Sequence, residues 1–297
     1  MSFPVIVIKG KAAEKLVDAL DRGIGGIYRP IGTMLNAAAE RQARKIKAKT
    51  NIEIKEMRER AKHRLDFQEV CRQENIESIV SKTANMLSDN VDDKDIEQDW
   101  LTQFFAIAQD VSDDGMQTLW AKILSGEIAK PGSYAKRTID FLRTLEKTEA
   151  EGFSMLCSFA FTWEDGWPFL FENNVTRERT YPLAWMEHFA SIGLLAPAES
   201  IHQTPNLIGR KIKYFEKGYL ICSSITQLVE STSISLAESP MGFDGNNYYT
   251  PQICGARNFS AIGKQLAAIA GGLPKPEYVD DLVKAMSAEW YLSLKEL

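Results

Sequence analysis

The chain has 297 residues, 44% apolar and 25% charged, the balance of an ordinary folded protein of about two domains rather than a disordered or membrane-embedded one. Its net charge of −5 is unevenly spread: residues 1–64 carry 15 Lys/Arg against 7 Asp/Glu, net +8, which leaves residues 65–297 at −13. The longest nearly apolar run, 155–163, falls far short of the roughly 20 residues that span a bilayer, so a cytoplasmic, non-membrane protein is expected.

The N-terminus has no basic stretch ahead of its apolar residues, as a signal peptide would. The four cysteines, Cys71, Cys157, Cys222 and Cys254, follow no spacing pattern and fit reduced thiols. Residues 12–22 predict a short amphipathic helix with Leu16, Val17 and Leu20 on one side. Gly23, Gly25 and Gly26 then read as a hinge, and Pro30 resets the backbone.

From Thr33 to about Phe67 there is no Gly or Pro, which predicts a helix of ~50 Å. Its stripe is Leu35, Ala39, Ala43, Ile46, Thr50, Ile54, Met57, Ala61 and Leu65. The steps of 4, 4 and 3 favour a nearly straight or slightly right-handed supercoil. Leu35, Ile46, Ile54, Met57 and Leu65 are therefore candidates for an oligomerisation stripe against a helix of another copy. The alternative is a basic face held on lipid or nucleic acid. The small stripe residues, with no Trp or Phe anchor, weaken the lipid version.

Residues 1–67 thus form a basic helical arm, and 68–146 are expected to form a helical bundle. Ile76, Val80, Met86 and Leu87 mark one of its helices; Trp100, Leu101, Phe104, Phe105 and Ile107 mark the next. Ser112 or Asp113 caps a third, with Met116, Leu119, Trp120, Ile123 and Leu124 at spacings of 3 and 4. Trp100, Phe105 and Trp120 are assigned to the core. A turn at Pro131–Gly132–Ser133 precedes a helix carrying Ile139, Phe141 and Leu142.

Thr148 and Glu151 have capping-box spacing at the start of a helix expected to run through Phe161. A helix over 182–192, a hairpin over 211–224 and a helix over 258–272 follow, the order of a winged-helix-like unit over 147–275. Residues 276–297 predict one last amphipathic helix. The expected fold is thus mostly α: a long N-terminal amphipathic helix, a helical bundle, and a winged-helix-like α+β unit with a small antiparallel hairpin.

Residues 100–153 carry a pattern built on Trp100, Ser112, Gln117, Trp120, Leu124, Gly126–Glu127, Pro131–Gly132–Ser133, Arg137–Thr138 and 142–145. This segment resembles the core of a bacterial family described only as a domain of unknown function. It is similar, more distantly, to the Abi-alpha proteins linked to abortive infection. The C-terminal NFSAIGKQLAAIAG resembles that family's ending, with Phe259–Ser260 where Leu-Thr is usual. The resemblance implies a bacterial or prophage origin and a role in antiviral defence, and it carries no catalytic residues with it.

No C-x-x-C, H-x-x-x-H, G-x-S-x-G or P-loop pattern occurs, so neither a metal nor a cofactor is expected. Lys130, Ser133, Lys136 and Arg137 surround an expected helix start, where free N–H groups attract anions. Lys211 and Lys213 lie on the basic hairpin and are candidates for nucleic-acid contact. The helix that would enter a groove holds no Arg or Lys; Glu187, His188 and Ser191 are its polar groups. Should a dispersed active site exist, Glu127 and His188 are the residues to mutate first. The leading expectation is a non-enzymatic, homo-oligomeric interaction protein with a role in phage defence. The alternative is a nucleic-acid-binding regulator using arm and wing.

Overall fold

The structure, a computed structural model, describes residues 10–24, 51–88, 90–179, 183–197, 207–223, 243–244, 247–248, 255–290 and 292–297. They hold ten helices and eight short strands. The chain divides into two compact units, Met1–Thr144 and Leu145–Leu297.

The first unit is helical: α1 (Lys11–Ile24), α2 (Asn51–Met86), α3 (Gln98–Ala108), α4 (Asp114–Ala129) and α5 (Lys136–Leu142). The second half of the arm helix and the helix expected around Ile76 are one element. At 36 residues, α2 is about 54 Å long and passes unbroken through positions 67 and 68, where the arm was expected to end. Only its later turns are buried. Ile76, Ile79 and Thr83 face inward, and the Ser78 hydroxyl donates to Gln117 Oε1 of α4 at 2.6 Å.

Asp113, not Ser112, caps α4 by accepting the Met116 N–H at 3.0 Å. The core is aromatic. Trp100 stacks on Phe104 at 5.1 Å, and Phe104 meets Trp120 edge-on. Gly23 is not a hinge but part of α1, and its missing side chain has a packing reason. A Cβ there would stand 2.3 Å from the Phe105 ring, so glycine lets α1 lie directly on α3.

The second unit begins with α6 (Lys147–Cys157), which stops four residues before Phe161. Its capping box is Glu146 with Glu149 rather than Thr148 with Glu151. Phe161 opens the strand β1 (Phe161–Trp163), followed by β2 (Pro168–Glu172), α7 (Asn174–Arg179), α8 (Leu183–Ser191), β3 (Lys211–Tyr214) and β4 (Lys217–Ser223). A small pair, β5 (Phe243–Asp244) and β6 (Asn247–Tyr248), precedes β7 (Gly255–Asn258), α9 (Ala261–Ala270), α10 (Pro276–Trp290) and β8 (Leu292–Glu296). The expected last helix is therefore shorter, and its tail is a strand.

The expected hairpin is present as β3–β4, but it is built into a six-stranded antiparallel sheet of order β7-β2-β1-β3-β4-β8. Directly paired residues share a face, so the register sorts the side chains into two sets. Phe161, Trp163, Phe169, Phe171, Ile212, Tyr214 and Ile221 form a buried aromatic face. Against it Tyr278 of α10 packs, 6.3 Å from Phe161 and donating to or accepting from Thr176 Oγ1 at 2.8 Å. The opposite face carries Thr162, Lys211, Lys213, Leu220 and Lys295, together with Leu170, Glu172 and Arg257.

Candidate interaction surfaces

The first candidate is the leading half of α2. From Lys55 to Leu65 every side chain is exposed. Met57 is 61% exposed and Leu65 44%, followed by Phe67 at 69% and Val70 at 57%. At 100° per residue, Leu65 stands about 80° to one side of Met57 and Phe67 about 80° to the other, with Val70 about 60° farther round. Of the expected stripe, Leu35 and Ile46 fall outside the described residues, as do Gly25 and Gly26 of the expected hinge. Ile54 is described in its backbone alone.

A second candidate is a cavity of about 530 Å³ in the first unit, lined by Lys94, Asp95, Glu97, Trp100, Glu127, Gly132, Tyr134 and Lys136 among others. Glu127 among them is only 2% exposed. One carboxylate oxygen accepts the Gly132 N–H at 2.6 Å, the other the Tyr134 N–H at 3.0 Å. The turn's donors, which were expected to attract an external anion, are thus held by an internal one. Burial raises the Glu127 pKa, and hydrogen bonds from Gly132, Tyr134 and Ser133 oppose the rise. Burial also lifts the Tyr134 phenol to about 12, helped by the Glu127 charge.

Of the four expected anion contacts, only Lys136 lines this cavity. Its ammonium bonds to Glu97 Oε1 at 2.6 Å, which raises its pKa. Ser133 does not cap the following helix; its hydroxyl donates to the Lys130 carbonyl at 2.7 Å. Ala135 is the residue at the cap position of α5. Lys130 and Arg137 are exposed.

In the second unit, His188 Nε2 meets Glu149 Oε1 at 2.7 Å, while Glu149 Oε2 accepts the Glu146 N–H at 2.9 Å. Glu187 is also engaged, accepting from Arg257 Nη2 at 2.9 Å. Arg257 is 2% exposed and forms a second ion pair with the equally enclosed Glu172. Sequence reading passed over this Arg257–Glu172–Glu187 group. The available signal was a single charged residue, Arg257, in the otherwise uncharged segment GARNF.

Lys211 and Lys213 are exposed, but not on a free-standing wing: β3 lies between β1 and β4. Among the described residues, no group of three or more His, Cys, Asp or Glu could hold a metal ion. No described helix is long and apolar enough to cross a membrane.

Residues 59–179, from within α2 to the end of α7, match the family model for a protein of unknown function, DUF2806. No curated protein and no solved structure matches the chain.

Proposed function

We propose that this is a non-enzymatic interaction protein that self-associates through the leading half of α2. The observation that carries the reading is the row of large apolar side chains left in water there: Met57, Leu65, Phe67 and Val70. A surface helix usually turns such residues inward, and several large apolar side chains left in water along one stretch suit an association site. A second copy suits the charge. The stretch 1–64 is net +8 and the remainder net −13, so the basic arm of one copy is complementary to the acidic body of another. Apolar residues on two sides of α2 fit contact with more than one neighbouring helix.

The resemblance of residues 100–153 to Abi-alpha proteins supports placing this association in defence against phage. A groove-reading role for α8 has less support, because Glu187 and His188 are both engaged within the unit and Ser191 donates to the His188 carbonyl.

Light scattering on the full chain tests the reading. We expect an oligomer for the wild type and a monomer for Met57→Glu/Leu65→Glu/Phe67→Glu, whose changes fall on exposed positions and leave the fold intact. A wild-type monomer at every concentration would overturn it. Challenge of cells with phage then asks whether the same triple substitution abolishes protection.

A further inference from the structure

The geometry points to a binding surface for single-stranded nucleic acid on the exposed β3–β4–β8 part of the lysine-bearing sheet face in the second unit, beside the apolar slot between that face and α9. It is independent of self-association through α2.

The register carries the first part of the argument. Lys211 pairs with Leu220, and Leu220 pairs with Lys295 on the next strand, so the two lysines share a row about 10 Å long across β3, β4 and β8. Lys213 follows Lys211 on the same face about 7 Å along the strand. All three are exposed, with the half-buried Leu220 between Lys211 and Lys295 and the exposed Leu297 side chain against Gly218. Among the described residues, neither Lys213 nor Lys295 has a carboxylate partner; Lys211 has Glu164 at 3.9 Å. Lysine on an edge strand such as β8 has an ordinary explanation, the blocking of edge-to-edge pairing. That explanation does not reach β3, an interior strand.

The second part is the slot. A cavity of about 280 Å³ opens where the lysine-bearing face meets α9, lined by Thr162, Pro168, Phe215, Lys264 and Ala267 among others. Phe215 occupies the β3–β4 turn with φ 52, a conformation unusual for an aromatic residue, and its ring is partly exposed. Lys264 Nζ stands 4.3 Å from the Trp167 ring centroid at the same slot. Ammonium groups spread over an exposed part of the sheet, next to a shallow apolar recess with an aromatic wall, suit a polymer that alternates phosphates with flat rings. A duplex keeps its bases stacked and offers nothing to the recess.

Fluorescence anisotropy with labelled oligo(dT), oligo(rU) and a duplex of equal length, on the full chain, tests this. We expect both single strands to bind more tightly than the duplex and to weaken steeply with added salt. Lys213→Glu/Lys295→Glu should weaken binding by about tenfold or more. Phe215→Ala should weaken it severalfold with an unchanged salt slope, because it removes stacking and not charge. Arg143→Glu/Lys284→Glu, an equal charge change at other exposed positions, should leave affinity within about twofold. Photocrosslinks should map to residues 211–217.

Three results would each overturn the assignment. They are no single-strand binding at low salt, tighter binding of the duplex, or binding that survives Lys213→Glu/Lys295→Glu and disappears on reversing Lys45 and Lys47. The last would assign the nucleic acid to the basic arm.

Discussion

Glu127 and Gly132 meet at 2.6 Å, the carboxylate of one accepting the backbone N–H of the other across the PGS turn. With Tyr134 N–H on the second oxygen, a single side chain closes the end of α4 onto the segment that leads into α5. Glu127→Ala leaves these donors without an acceptor. At about 1–3 kcal/mol each, the loss for the two is roughly 2–6 kcal/mol, read from urea unfolding. A loss below about 0.5 kcal/mol would mean that water replaces the carboxylate at no cost.

The same residue predicts a pH dependence. Burial, the largest influence on Glu127, raises its carboxyl pKa above the ordinary 4.5. Just above that pH the folded chain still holds a proton that the unfolded chain has released. Stability from this group is therefore full below 4.5 and declines as pH rises through the window up to the folded value. Glu127→Gln cannot titrate, so unfolding measured across mildly acidic pH should lose this component of the slope. An identical slope in the variant would show that other carboxylates set it.

Arg257 and Glu172 face each other in the interior of the second unit. Removing one member strands the other charge, and Arg257→Met should cost about 3–5 kcal/mol. Replacing both with methionine should recover most of that loss, since the remaining partner, Glu187, is half exposed and returns to water. Additive losses in the double variant would indicate that the ion pair's geometry, rather than charge balance, holds this region.

Glu149 and His188 differ in what they support. Glu149 caps α6 as well as meeting His188, so Glu149→Ala should cost about 1–2 kcal/mol. His188→Ala loses only a contact that is 41% exposed on the histidine side, worth less than about 1 kcal/mol. Thermal unfolding ranks the two, and the reverse order would show that the ring packing of His188 against Trp185 and Phe189 dominates.

What was legible in the sequence were the elements with strong periodicity. Trp120, Ile123 and Leu124 sit where their spacing of 3 and 4 put them, and the hairpin over 211–224 and the helix stopped by Gly271 are present. The strands β1 and β2 escaped because FTW is too short to establish a period and PFLF runs apolar without alternation. Asp165–Gly166 between them was the unread turn signal; Gly166 adopts φ 75, and Asp165 accepts the Trp167 N–H.

The role of Glu127 was illegible for another reason. A carboxylate after a glycine reads the same whether it faces solvent or folds back on a turn five residues ahead, and only the path of the chain decides. Nor could Lys295 be linked with Lys211, since 84 positions of chain separate residues that the sheet puts in one row.

The strand β7 lies at one border of the six-stranded sheet and β8 at the other, so the last forty or so positions of the chain deliver both of its outermost members. Translation makes the partners β1 to β4 long before either border exists. The free edge of β2 therefore waits until residue 258 has emerged and that of β4 until residue 296, while the helical half, complete in sequence by residue 144, can settle first. Slowing synthesis after residue 223 should thus lengthen the period in which nascent chains need protection from sticking to one another.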